Sequence, residues 1–186
     1  MIFENKNKLK EKCAKIIKVE GQDVTILDEA KLRNKLIDDL IYTKVFSADK
    51  AAQDAACWII RRAARALGIY SASIQPLYEA MGRKEVAGFT VPAINIRMIT
   101  YDSAQAIFRA AMKAKAGPVI FEIARSEIDY TMQRPAEYTC AIKAAAIKTG
   151  YQGPVFLQGD HFQISAKKYA ADAAKETQTV KNLIWE

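Results

Sequence analysis

Two patterns of hydrophobic and polar residues divide the chain near residue 88. Before that point, apolar residues recur at intervals of three and four, the spacing of amphipathic helices. The clearest helix runs between Ser47, a suitable N-terminal cap, and Gly68, a suitable C-terminal stop. We therefore predict that residues 1–88 form a mainly helical N-terminal extension.

After residue 88, short apolar runs alternate with longer segments of helical spacing. The predicted strands are residues 89–97, 118–124 and 154–159, and the predicted helices are residues 100–117, 134–150 and 165–184. Strands separated by helices run parallel and are joined by right-handed crossovers. The strands show little apolar–polar alternation, as expected where helices cover a sheet. Residues 89–186 are therefore predicted to have an α/β fold.

Two α/β architectures accommodate this order. A doubly wound sheet that binds a dinucleotide carries a glycine-rich turn after its first strand, whereas the turn here is "NIRMITYDS". The phosphate-binding motif GxxxxGK[ST] is also missing from the chain. The pattern favours the other architecture, a (β/α)8 TIM barrel, of which these residues would be the first three βα units.

Each predicted strand becomes polar where it ends. The residues at these ends are Asn95 and Arg97, then Arg125, Ser126 and Glu127, and finally Asp160, His161 and Gln163. The carboxyl ends of parallel strands meet at one edge of a sheet, so these side chains are expected to surround one opening. His161 is the single histidine of the chain.

Composition and charge mainly exclude classes of function. The net charge is +7, but the basic residues are spread over several predicted helices, so a nucleic-acid partner is not predicted. Solvated helix faces, or attraction for anionic phosphate substrates, explain this charge as well. No apolar run reaches the length of a membrane span, and the N-terminus does not resemble a secretory signal. Three widely spaced cysteines suggest neither a disulfide framework nor a cysteine zinc site, and a cytoplasmic protein is expected.

Residues 88–184 resemble the class II, metal-dependent fructose-bisphosphate aldolases. The resemblance is carried by "VPAINI", "GPVIFEIARSE" and above all "PVFLQGDHFQ". It implies that His161 is one of three histidines that bind Zn²⁺ or another divalent metal. It also implies that Asp160 is the catalytic acid that acts on the aldehyde carbonyl of the substrate.

The resemblance has further implications for substrate and assembly. It implies a phosphorylated sugar as substrate, with Asn95 and Ser126 as candidate contacts, and a homo-oligomer for the full-length enzyme. In a direct alignment, Ala124 stands where the family often has a serine, and Ser126 lies two residues later. Residues 1–88 resemble the extension found in a longer branch of the family.

The sequence contains only part of what such an enzyme requires. A catalytic zinc site takes about three protein ligands, and a complete barrel has eight βα units. We therefore predict that these residues are the N-terminal part of a longer aldolase and that the chain alone is inactive. One alternative is a non-catalytic subunit related to tagatose-bisphosphate aldolase, which also carries a Gly-Asp-His run after a strand. Another is a non-enzymatic α/β scaffold or binding module that assembles a barrel from several copies.

Overall fold

The computed structural model describes residues 1–186 as helices arranged around a parallel sheet, with a separate β-hairpin. The strands are β1 (Ile17–Glu20), β2 (Asp23–Ile26), β3 (Ile69–Ala72), β4 (Ala93–Asn95), β5 (Ile120–Ala124) and β6 (Gly153–Asp160). The helices are α1 (Lys6–Cys13), α2 (Glu29–Lys31), α3 (Ile37–Phe46), α4 (Lys50–Ala66), α5 (Gln75–Gly82), α6 (Thr100–Ala114), α7 (Arg125–Thr131), α8 (Pro135–Thr149), α9 (Ala166–Ala171) and α10 (Ala173–Trp185). A π-helical turn, Leu32–Leu36, joins α2 to α3.

The main sheet contains four parallel strands in the order β3-β6-β5-β4. The register places Asn95 beside Glu122, Glu122 beside Gln158, and Ala124 beside Asp160. The predicted α/β fold and its three parallel strands, β4, β5 and β6, are confirmed. The fourth strand, β3, lies within the segment predicted to be mainly helical and was not predicted.

Both crossovers of the β4–β5–β6 run step in the same direction across the sheet. Helix α6 connects β4 to β5, and α8 connects β5 to β6. Right-handed crossovers in one direction place both helices on the same face, where α6 and α8 pack against each other. Phe121 lies on that face, with its ring centroid 5.0 Å from that of Phe108 in α6. Because side chains alternate along a strand, Glu122, Gln158 and Asp160 lie on the opposite face.

One hydrophobic core extends through both halves of the chain, with buried members from Phe3 to Leu183. Helices α3 and α4 pack against α8 and so connect residues 1–88 to the α/β segment. Polar contacts support the same junction, because Asp38 accepts hydrogen bonds from the Tyr101 hydroxyl at 2.6 Å and from Lys148 Nζ at 2.7 Å. The residues on the two sides of the predicted boundary at residue 88 therefore share one core.

Several helix boundaries differ from those predicted. The predicted helix 165–184 is divided into α9 and α10 at Asp172, whose Oδ1 accepts a hydrogen bond from the Lys175 amide at 2.9 Å. Helix α6 ends before Lys115, which adopts a left-handed conformation with φ of +50°. Helix α7 was not predicted. None of the helices combines the length and the apolarity needed to cross a lipid bilayer.

Candidate functional site

The end of β6 holds the Asp160–His161 pair in a tight reversal of the chain. Strand geometry continues through Asp160, and His161 then adopts a left-handed φ of +48°. This reversal carries Phe162 back over Gly159. A Cβ atom on Gly159 would lie 2.8 Å from the Phe162 ring, so only glycine permits this contact without a shift. The local fold therefore fixes where the carboxyl and imidazole groups emerge.

Asp160 contacts the end of a strand two positions away in the sheet. Its Oδ2 accepts a hydrogen bond from Asn95 Nδ2 at 2.8 Å. Ala124 of β5 is the neighbour of Asp160 in the register, and its methyl group leaves room for the two longer side chains to meet. The Asn95 Oδ1 atom is buried and has no hydrogen-bond partner. The structure thus brings together two of the four candidate site residues, Asn95 and Asp160.

His161 lies beside this pair but faces solvent. Its side chain is 72% exposed, and its Nε2 lies 3.4 Å from Asp160 Oδ1. The imidazole makes no hydrogen bond within the chain that meets ordinary distances. It is therefore sterically available to a metal ion or a ligand.

Glu122 and Gln158 extend the polar row below Asp160 on the same face of the sheet. Gln158 Nε2 donates a hydrogen bond to Glu122 Oε1 at 2.7 Å. Burial raises the pKa of Glu122, and the negative charges of Asp160 and Glu127 raise it further. Neither Glu122 nor Gln158 was singled out from the sequence. The available signal was an acidic residue in the middle of the apolar run "PVIFEIA".

The remaining polar residues at the strand ends mainly support the structure. Arg97 Nε donates to Glu127 Oε1 at 2.5 Å, and Glu127 Oε2 accepts from the Ala124 amide at 2.9 Å. These bonds fix the start of α7 against β4. Ser126 lies in the first turn of α7, where it is exposed and makes no side-chain hydrogen bond, so the structure does not bring it to Asp160.

Arg125 also has a structural role. Its Nη1 and Nη2 donate to Glu176 Oε1 and Oε2 at 2.6 and 3.2 Å, and Nη1 also donates to the Gln163 carbonyl at 2.7 Å. The guanidinium therefore ties the loop after β6 to α10. Because the Arg125 guanidinium is engaged in these bonds, we do not assign it a role at the Asp160 carboxyl group.

The donor set of this chain does not form a complete metal site. No three histidine, cysteine, aspartate or glutamate side chains converge in a geometry that could hold a metal ion. A catalytic zinc ion takes about three protein ligands and keeps one position open. His161 supplies one imidazole, so these residues alone do not fit the zinc centre that the aldolase resemblance implies.

Comparison of the chain with protein-family models, curated proteins and solved structures finds no match. Function is therefore inferred from the residues at the strand ends and from their geometry.

Proposed function

We propose that this chain is the N-terminal part of a metal-dependent class II aldolase that reversibly cleaves a ketose 1,6-bisphosphate, fructose 1,6-bisphosphate being the expected substrate. The proposal depends most on one contact, the 2.8 Å hydrogen bond from Asn95 Nδ2 to Asp160 Oδ2. This contact holds an acid–base group at the carboxyl edge of a parallel sheet. Active sites of (β/α)8 barrels assemble at that edge.

The run β4–β5–β6 is the part of the sheet that is compatible with a barrel-type arrangement. Strands β4, β5 and β6 follow one another without a reversal of direction, and α6 and α8 lie together on one face. The full order β3-β6-β5-β4 does reverse direction once, because the chain crosses from β3 at one edge to β4 at the other before it runs back to β6. Strand β3 occupies the free edge of β6, so a further barrel strand on that edge would have to displace β3 or pair beyond it.

Asp160 can carry the proton transfer of the aldol reaction. In cleavage, the ionised carboxylate accepts the proton of the hydroxyl group next to the breaking carbon–carbon bond. That carbon becomes the aldehyde, and the bonding electrons pass to the ketose-phosphate fragment as an enediolate. In the reverse direction Asp160 returns the proton to the aldehyde oxygen. Transfers of this kind typically contribute about 10²- to 10⁴-fold to rate.

Asn95 positions the carboxyl group for this step. Its Nδ2 donates a hydrogen bond that limits rotation of the carboxyl group. The bond also occupies Oδ2 and leaves Oδ1 free on the side of His161. A bound metal ion would act as a Lewis acid on the substrate, and His161 would be one of its ligands.

The decisive experiment compares Asp160→Asn with Asp129→Asn in the complete enzyme. Asp129 is exposed in α7 and makes no hydrogen bond or ion pair, so it controls for the loss of one carboxylate charge elsewhere in the chain. We expect Asp160→Asn to lower kcat about 10²- to 10⁴-fold while metal content stays near wild type. Asp129→Asn should leave both unchanged. An unaltered kcat in Asp160→Asn would end the proposal.

Metal analysis tests the role of His161 separately. The 186-residue chain should bind no tight stoichiometric zinc, because affinity requires several ligands held together. In the complete enzyme, His161→Ala should remove most of the metal and the activity. Full metal retention by that variant would exclude His161 as a ligand.

A further inference from the structure

A second concave site lies at the amino ends of the strands, far from Asp160. It is a cavity of about 610 Å³ bordered by α4, β3 and α8, and the residues that characterise it are Trp58, Arg61, Arg62, Arg65, Tyr70 and Lys143. Tyr70 pairs with Pro154 in the second position of β6, whereas Asp160 ends that strand. The two positions are about 20 Å apart at 3.3 Å per residue.

The cavity brings together four cationic side chains and no acidic one. Arg61, Arg65 and Lys143 form no hydrogen bond or ion pair, in contrast to the arginines that stabilise the strand ends. Arg62 is partly engaged, because its Nη2 donates to Gln22 at 2.9 Å and its guanidinium lies 5.6 Å from the centre of the Trp58 ring. Three of the four cations therefore make no ion pair or hydrogen bond.

Lys143 is the one cation of the cavity that comes from α8. The lysine is half-buried on α8, and burial together with the positive charge of Arg61 lowers its pKa. The C-terminal end of the α4 dipole favours Arg65 in the last turn of that helix. It does not account for Lys143, which comes from a different helix.

We propose that this cavity binds a small multivalent phosphate anion. Arginine guanidinium groups match phosphate oxygens in a bidentate geometry, and a lysine ammonium adds a point charge. The volume lies in the range of small-ligand pockets. The cations gather around one concavity and do not form an extended stripe, so a compact anion fits better than a nucleic-acid strand.

The site is independent of the proposed aldolase chemistry. It uses none of the residues at the carboxyl ends of the strands, and its test requires only the 186-residue chain. The anion-binding proposal and the aldolase proposal can therefore be refuted independently.

Fluorescence provides a local readout of binding. The chain contains two tryptophans, Trp58 at the cavity and Trp185, which is 88% exposed near the C-terminus. In a Trp185→Phe background, indole emission reports on the cavity alone. Titration with pyrophosphate at physiological ionic strength should change that emission saturably, and calorimetry should give the same Kd. Pyrophosphate should also raise the melting temperature, because it binds only the folded state.

Paired variants distinguish a specific binding site from general electrostatic attraction to a basic protein. Arg61→Gln/Arg65→Gln removes two exposed cations from the cavity, and Lys113→Gln/Lys181→Gln removes two exposed cations elsewhere. We expect the cavity pair to weaken pyrophosphate binding about tenfold or more, since contacts between ionised groups are the strong ones. The control pair should change Kd less than about twofold, because distant exposed charges are screened.

Three results would overturn the proposal. These are no saturable pyrophosphate signal at millimolar concentration, equal weakening by both pairs, or tight binding of a single-stranded oligonucleotide at the cavity that pyrophosphate does not displace. Circular dichroism of each variant establishes that it is folded. Lys143→Met serves as a second cavity variant, because removing a half-buried unpaired charge should leave the fold intact while weakening pyrophosphate binding.

Discussion

Gly159 is the residue on which the positions of Asp160 and His161 most directly depend. A Cβ atom there would meet the Cγ and Cδ atoms of Phe162 at 2.8–2.9 Å, closer than van der Waals contact. We expect Gly159→Ala to lower the free energy of unfolding by about 1–3 kcal/mol, the usual effect of overpacking. Urea denaturation measures this change.

A double-mutant cycle shows whether the Phe162 ring is the cause. In a Phe162→Ala background, the alanine at position 159 no longer meets an aromatic ring, so its effect should fall to a few tenths of a kcal/mol, about the scatter of independent sites. Equal destabilisation in both backgrounds would mean that backbone conformation, not the ring, requires glycine.

Glu176 gives the chain a specific response to acid. Its side chain is 3% exposed, and the Arg125 guanidinium and the Ser165 amide lower its pKa to about 2. The folded-state pKa is below that of the unfolded chain, so the stabilisation is complete above about pH 4.5 and is lost as pH falls through about 2.

Glu176→Gln isolates this effect. We expect the variant to melt at a lower temperature than wild type at pH 6, and the difference should shrink as the pH is lowered toward 3. The matched variant Glu11→Gln, at an exposed residue without contacts, should melt like wild type throughout. A constant difference between Glu176→Gln and wild type would show that packing, not charge, explains the loss.

Residue-level geometry could be predicted only where topology determines it. Asn95 and Asp160 meet because both end parallel strands, a relationship that the order of elements implies. Ser126 follows a strand as well, but α7 begins one residue earlier, so its direction depends on the helix and not on the strand. Glu122 was missed because a charged residue inside an apolar run gives no indication of which face it occupies before the register is known.

At the scale of elements, the end of α6 is strained at a position that glycine would relieve. Lys115 is exposed and left-handed, with φ of +50°, a conformation that costs an L-residue roughly 1–2 kcal/mol. We expect Lys115→Gly to stabilise the protein by about 1 kcal/mol in urea denaturation. Lys113→Gly, inside the same helix, should destabilise it by about 1 kcal/mol. Stabilisation by neither or by both would contradict this assignment of the helix end.

The end of a helix was predictable where the glycine that follows the helix adopts a left-handed conformation. Gly68 and Gly150 follow α4 and α8 with φ of +75° and +80°, as their positions in the sequence predict. The helix predicted to reach residue 117 ends instead before Lys115, which already adopts the left-handed conformation. Ser47 does not cap α4, since Asp49 Oδ1 accepts the Ala51 amide instead.

Strand β3 was not predicted for a different reason. The run "IYSASI" is short, is interrupted by two serines and directly follows a helix, so local propensity does not distinguish it from a loop. It becomes a strand because its backbone pairs with the exposed edge of β6 from Ile69 to Ala72. Sequence reasoning from one segment at a time does not reveal such pairing across more than eighty residues.

At the scale of the whole molecule, the shared core indicates which parts of the chain can fold alone. Helix α8 is buried against α3 and α4, and β3 covers the edge of β6, so residues 89–186 lose partners on two sides when residues 1–88 are removed. The removal would expose the apolar face of α8 and an unpaired strand edge, both of which promote aggregation.

We therefore expect a polypeptide of residues 89–186 to lack a cooperative thermal transition, whereas the 186-residue chain melts in one transition. Circular dichroism and amide dispersion in NMR spectra measure this difference. A chain of residues 1–186 with Gly88 extended by a flexible Gly/Ser insertion is the control, because it separates the halves in sequence while keeping both present. Since Gly88 lies in an exposed loop with φ of +90°, this insertion should leave the transition cooperative. Cooperative melting of residues 89–186 alone would show that residue 88 separates two independent folding units, and the common core would then contribute little to stability.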